Sequence, residues 1–156
     1  MSAPDVPDVP DVIDWSALEA AAIAARRRAY APYSRYHVGA AVLADDGAIH
    51  GGCNVENATY GATICAERTA VVSMVAAGGR RVRAVVVVTA GPEAGSPCGV
   101  CRQVLAEFCD EAPVTMIAVD DAERVVDRKT STVNTLLPGA FRGDVVLNTL
   151  KNLSRT

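Results

Sequence analysis

Two short segments carry residue types that do chemistry together: Cys65-Ala66-Glu67, and Pro97-Cys98-Gly99-Val100-Cys101. One Cys-x-x-Cys pair and a single third cysteine make three thiolate ligands, whereas a structural zinc site closes with four. Three ligands leave a coordination position for water, the arrangement of a catalytic ion. Glu67 stands two residues after a ligand, where a carboxylate can approach the metal-bound water as general acid and base without binding the metal itself. Arg68 follows, placed to donate hydrogen bonds to thiolate sulfur and to offset the charge of three cysteines. Any one of these cysteines alone reads as a small buried hydrophobe, so the metal reading rests on the constellation. Cys53 and Cys109 have no partner spacing and are read as packing residues; His37 and His50 lie away from both motifs and are read as ordinary polar histidines.

Helix ends must hold these residues. Thr63 offers an N-cap to a helix running to about Ala77, where Gly78-Gly79 stops it. Ser96-Pro97 reads as cap and first residue of another helix, whose Cys101, Val104, Leu105 and Phe108 recur at helical spacing. Both starts place cysteines in a first turn, where free N–H groups and the positive end of the dipole favour thiolates. Residues 65 and 67 are about 200° apart around a helix, so both can serve one ion only beyond the helix end, not against its flank.

The remaining elements supply the platform. Ser16 with Glu19 forms a capping box that opens a first helix, which Pro32 ends. Val38 to Ala44 and Ala48 to Gly52 flank Asp45-Asp46-Gly47 as a hairpin. Arg83 to Ala90, with four consecutive valines, reads as a central strand buried on both faces. Val114 to Val119 is a further strand, joined through Asp120-Asp121-Ala122-Glu123 to one near Arg124 to Val126. So short a link allows only antiparallel pairing. The sum is an α/β fold, a five-stranded mixed sheet with helices packed on it and its last two strands antiparallel.

With 156 residues, half of them hydrophobic, one domain is expected. A formal charge of −3 gives no basic surplus for nucleic acid. No apolar run approaches the ~20 residues of a membrane helix, and the first residues carry no basic leader, so neither membrane insertion nor export is expected. Thiolate chemistry fits a reducing cytoplasm. Pro4 to Val12 repeats Pro-Asp-Val three times, so residues 1–14 are expected to be a disordered arm, 15–147 the domain and 148–156 a tail.

Pro32-Tyr33-Ser34, Val38-Gly39-Ala40-Ala41, Asn54-Val55-Glu56-Asn57-Ala58, Cys65-Ala66-Glu67-Arg68-Thr69-Ala70, Pro97-Cys98-Gly99-Val100-Cys101-Arg102-Gln103 and Leu136-Leu137-Pro138-Gly139-Ala140-Phe141 together resemble the small homotetrameric cytidine deaminases. The resemblance spans roughly residues 15 to 147, and the zinc deaminase signature itself is a known one. It implies a three-layer α/β/α sandwich and one Zn²⁺ per chain on Cys65, Cys98 and Cys101. It further implies hydrolysis of cytidine and 2′-deoxycytidine to uridine, deoxyuridine and ammonia in pyrimidine salvage, by zinc-bound hydroxide with Glu67 as proton shuttle. Asn54 and Glu56 match positions that hold the ribose 3′-hydroxyl. Ala58 and Tyr60 match a segment reaching a neighbouring subunit's ribose end, and Phe141 an aromatic that covers the base from a neighbouring chain. Two departures stand out: Tyr36 where the family usually has Phe, and Arg142-Gly143-Asp144 after Phe141. Two readings stay open beside it: a deaminase of a cytosine nucleoside antibiotic, and a non-enzymatic zinc-stabilised module.

Overall fold

The computed structural model describes residues 12–153; the Pro-Asp-Val arm as far as residue 11 lies outside the described residues. In chain order the elements are α1 (Trp15–Arg26), β1 (Gly39–Ala44), β2 (Ile49–Cys53), a 3₁₀ turn (Tyr60–Ala62), α2 (Ala66–Ala76), β3 (Val82–Ala90), α3 (Gly99–Phe108), β4 (Pro113–Val119), β5 (Val125–Thr132), α4 (Val133–Leu136) and α5 (Gly143–Leu153). The five strands form one sheet in the order β2-β1-β3-β4-β5. β3 and β4 are parallel, joined by a crossover through α3, and the other pairs, β4 with β5 included, are antiparallel.

Alternation along the central strands builds two cores. Ala40, Val42, Val85, Val87, Val114 and Met116 face α2 and α3, where Ala70, Met74 and Leu105 close over them. Ala41, Leu43, Val86, Val88, Ile117 and Val119 face α1 and its Leu18 and Ala22. A strand covered on both faces has no polar side to show, which is why the valine run reads as continuous. Helices on either face of the sheet make the three layers.

Two glycines set how closely the helices approach. A Cβ on Gly39 would lie 2.1 Å from the Ala22 carbonyl oxygen of α1, and one on Gly52 would lie 2.2 Å from the Ala70 nitrogen and 2.5 Å from the Ala66 oxygen of α2. The start of α2, which carries the chemistry, therefore rests directly on β2.

Helix boundaries differ from the sequence reading in a consistent way. Asp14, not Ser16, caps α1, accepting from the Ala17 amide at 3.0 Å, while Glu19 is drawn away to pair with Arg128 of β5. Ile13 already packs on the core, so order begins ahead of Trp15. The helix ends at Arg26, well before Pro32. α2 is capped by Cys65 rather than Thr63, and α3 by Cys98 rather than Ser96. At the other end, α5 runs through the expected boundary at 147 as far as Leu153. No helix among the described residues is long and apolar enough to cross a membrane.

Candidate active site

Because Cys65 and Cys98 are the N-caps of α2 and α3, their thiols stand at the helix ends themselves, not within the first turn as the sequence suggested. Cys101 is the third residue of α3. The three sulfurs lie within 4.8 Å of one another, with Cys65 and Cys98 Sγ 3.9 Å apart. Tetrahedral zinc with bonds of ~2.3 Å sets ligand sulfurs roughly 3.8 Å apart, so the donor set fits that ion in both chemistry and spacing. The convergence lies at helix N-termini, as the 200° separation of residues 65 and 67 requires.

Charge is arranged around the sulfurs. Hydrogen bonding from Cys101, then from Arg68 and Cys98, holds the Cys65 thiol down to about 5. Cys101 is pushed up, because it donates to that thiolate and because it is buried. Arg68 Nη2 donates to the Thr63 carbonyl at 2.8 Å and to Cys65 Sγ at 3.8 Å. Thr63, expected as a cap, instead supplies an anchor for this guanidinium.

Glu67 is 4 % exposed. Burial, and after it the negative charge on Cys65, raises its carboxyl above the ordinary glutamate value, the direction that lets a carboxylate carry protons near neutrality. It lines a cavity of about 220 Å³ together with Cys65, Cys98, Tyr36, Asn54 and Thr89. That is below the ~300–1,000 Å³ of drug-sized pockets, room for a single small ring. A second hollow of about 400 Å³, lined by Tyr33, Ser34, Glu56, Tyr60 and Thr63, shares Ser34, Glu56 and Thr63 with it and leads outward. A separate hollow of about 360 Å³ between α3 and α5 contains Arg81 and Arg142, which are already engaged by Asp110 and by the carbonyls of Ala106, Cys109 and Asp110.

Asn54 is buried and works on the backbone: its Oδ1 accepts from the Val38 amide at 2.9 Å and its Nδ2 donates to the Tyr36 carbonyl at 2.8 Å. This holds the segment entering β1 in place and leaves one N–H and one lone pair for a ligand. Glu56 accepts from the Tyr33 and Ser34 amides at 2.8 and 3.2 Å and from the Ser34 hydroxyl. Tyr36 lines the inner cavity. Ala58 and Tyr60 are exposed, and Tyr60 meets Tyr33 edge to face at 6.0 Å. Phe141 is 67 % exposed, with its carbonyl held by Gln103 Nε2 at 2.7 Å and its neighbour Arg142 bonded to the end of α3. It is not among the residues lining the cavity of its own chain.

Sequence reasoning passed over Thr89, Gly95 and Ser96 as cavity residues. Thr89 carried a signal, a hydroxyl closing a run of valines; Gly95 carried none, since its place depends on how a loop folds back on the sheet.

The chain matches the family described as "Cytidine and deoxycytidylate deaminase zinc-binding region" over residues 14–119. It is 51 % identical over 120 residues to a cytidine deaminase of Sporosarcina psychrophila, covering 75 % of this chain and 83 % of that one. Among solved structures, cytidine deaminase from Burkholderia pseudomallei superposes with a TM-score of 0.75 at 43 % identity, covering 83 % of this chain and all of the other. The Mycobacterium tuberculosis enzyme gives a TM-score of 0.67 at 38 % identity, covering 83 % and 98 %. Sheet order, three converging thiols and these likenesses lead to one assignment: the chain belongs to the cytidine and deoxycytidylate deaminase zinc-binding family.

Proposed function

We propose that this chain is a zinc-dependent cytidine deaminase, converting cytidine and 2′-deoxycytidine to uridine and 2′-deoxyuridine with release of ammonia. The observation that carries the reading is the set of three Sγ atoms within 4.8 Å beside a buried carboxylate, opening on a cavity sized for one ring. Cys65, Cys98 and Cys101 hold the zinc. When bound, zinc supplies the Lewis acidity that makes water a nucleophile at neutral pH. Glu67 takes a proton from the attacking water and delivers it to ring N3 as the new bond to C4 forms. It then takes the second proton, from the new C4 hydroxyl, and passes it to the exocyclic amine as the C4–N bond breaks, leaving the C4 carbonyl and ammonia, one carboxylate serving both directions. Its raised proton affinity supports that double duty.

The base occupies the inner cavity, with Tyr36 on its wall, and the sugar lies outward, where Glu56 stands at the boundary of the two hollows. Asn54 and Glu56 bind the 3′-hydroxyl, which cytidine and deoxycytidine share. Arg68 tempers the charge on Cys65. The exposed Tyr60 and Phe141 support a homotetramer in which Ala58, Tyr60 and Phe141 complete sites on neighbouring chains. All five cysteines are free thiols, which supports a reducing cytoplasmic setting.

The test is direct. Purified protein is given cytidine, deoxycytidine, CMP and blasticidin S while absorbance loss, ammonia and metal content are followed. The reading expects turnover of the first two, abolished by chelation and restored by zinc. Turnover of blasticidin S alone, or zinc that cannot be linked to any turnover, defeats it.

A further inference from the structure

Cys98 enters the site at the end of the loop 91–97 that joins β3 to α3. A loop presents a ligand accurately only when its backbone is held from outside. Three residues abreast in the sheet supply such a hold. Thr89 of β3 pairs with Ala118 of β4, and Ala118 with Asp127 of β5. The outer two grip consecutive amides of the loop: Gly95 N–H donates to Thr89 Oγ1 at 3.1 Å, and Ala94 N–H donates to Asp127 Oδ2 at 2.8 Å. Ala118, the small middle member, shares a buried cluster with Ala94, so the loop sits down on the sheet between the two acceptors.

Both acceptors are themselves braced. Thr89 Oγ1 donates to the Ile117 carbonyl at 3.4 Å. Lys129 Nζ lies 3.6 Å from Asp127 Oδ2 and, in an exposed pair of little weight, 3.2 Å from Glu93 Oε2. Gly95 is pressed so closely that a Cβ there would meet Thr89 Cγ2 at 2.9 Å and Tyr36 Oη at 3.2 Å. Past the gripped amides, the chain runs straight into Ser96 and Cys98, both on the cavity wall.

We propose that Asp127, on the edge strand and outside the cavity, is a positioning residue for deamination, clamping with Thr89 the loop that presents Cys98 and the Gly95–Ser96 wall. The proposal rests on the functional reading above. Asp127 touches neither metal nor substrate; it acts through the Ala94 amide.

Asp127→Val keeps strand preference and removes the acceptor, whereas Asp127→Asn retains an acceptor oxygen. In the zinc-loaded Val variant, kcat for cytidine is expected to fall about tenfold to a hundredfold, the cost of a misplacement of about 1 Å, with KM changed far less. Zinc release to a colorimetric chelator should quicken by about tenfold, and the Ala94 amide should exchange faster while β3 stays protected. Asp127→Asn should restore most of each. Glu93→Gln, which cuts the exposed ion pair to Lys129, should stay within about twofold of the parent. Asp127→Ala, which also lacks an acceptor, repeats the test should the Val variant aggregate. Wild-type kcat, zinc release and Ala94 exchange in Asp127→Val would overturn the proposal, as would a loss of protection spread over β4 and β5 that Asn does not rescue. If the parent protein releases no ammonia from cytidine, the functional reading falls, and zinc release and amide exchange still decide the clamp.

Discussion

Glu67 and Glu56 show how two carboxylates in one site acquire opposite characters. Glu67 is buried beside thiolate charge and holds its proton more tightly than a free glutamate. Glu56 is gripped by the Ser34 hydroxyl and then by the Tyr33 and Ser34 amides, so its pKa falls. Such divergence suits one group to carry protons and the other to serve as a fixed acceptor. Glu67→Gln should therefore keep its zinc, measured by metal analysis, and lose about 10²-fold or more of kcat; a fully active variant would remove Glu67 from the role. For Glu56 the sign runs the other way from a raised group. With its folded value below the ordinary ~4.3, its stabilisation is present above that value and is lost as pH falls through the lower folded one. Thermal melts between pH 2 and 5 should show a shallower acid decline for Glu56→Gln than for the parent.

At the scale of elements, the site is made by two helix starts aimed at one point, and β2 sets the position of the first. α2 lies on Gly52 with no room for a side chain. Gly52→Ala must push the Ala66–Ala70 turn outward, carrying Cys65 and Glu67 with it. Overpacking of this kind costs about 1–3 kcal/mol. The expected outcome is a lowered Tm together with faster zinc loss to a chelator, whereas Gly61→Ala, with open space around its Cβ position, should change neither. A Gly52→Ala protein with parental Tm and zinc retention would show that α2 has freedom which its close seating denies.

For the whole molecule, the exposed Phe141 and Tyr60 belong to an argument about copies. The backbone around Phe141 is firmly tied to α3 through Gln103 and Arg142 while its ring faces outward, a cost in exposed apolar surface that a neighbouring chain would remove. If Phe141 serves the site of a neighbour, inactive Glu67→Gln and weakened Phe141→Ala proteins, co-refolded or co-expressed, should form hybrids more active than the sum of their separate activities. Activity equal to that sum, with a tetramer confirmed by sedimentation, would confine Phe141 to packing. Chelating the zinc should lower Tm, and adding it back should restore the loss, because ligand binding to the folded state alone adds to its stability.

What the sequence determined by itself was the chemistry and the strand plan. Two short cysteine motifs pointed to a three-thiol zinc-binding set, the valine run to a doubly covered strand, and the short Asp120–Glu123 link to an antiparallel β4–β5 pair, because within each motif, run or link the constraint acts over a few residues. Helix starts were legible only to within about two residues. Thr63 and Ser96 are good caps locally, but the Thr63 hydroxyl accepts from the Asn57 amide and the Ser96 hydroxyl from Arg102, and Cys65 and Cys98 hold the cap positions instead. Tertiary structure alone decided which surfaces meet: that Gly52 admits α2, that Asn54 secures the entry to β1, and that Thr89 and Asp127 reach the same loop. Apart from Thr89 with Gly95, those contacts join residues 14 to 33 positions apart, and no local pattern encodes which partner a side chain will find.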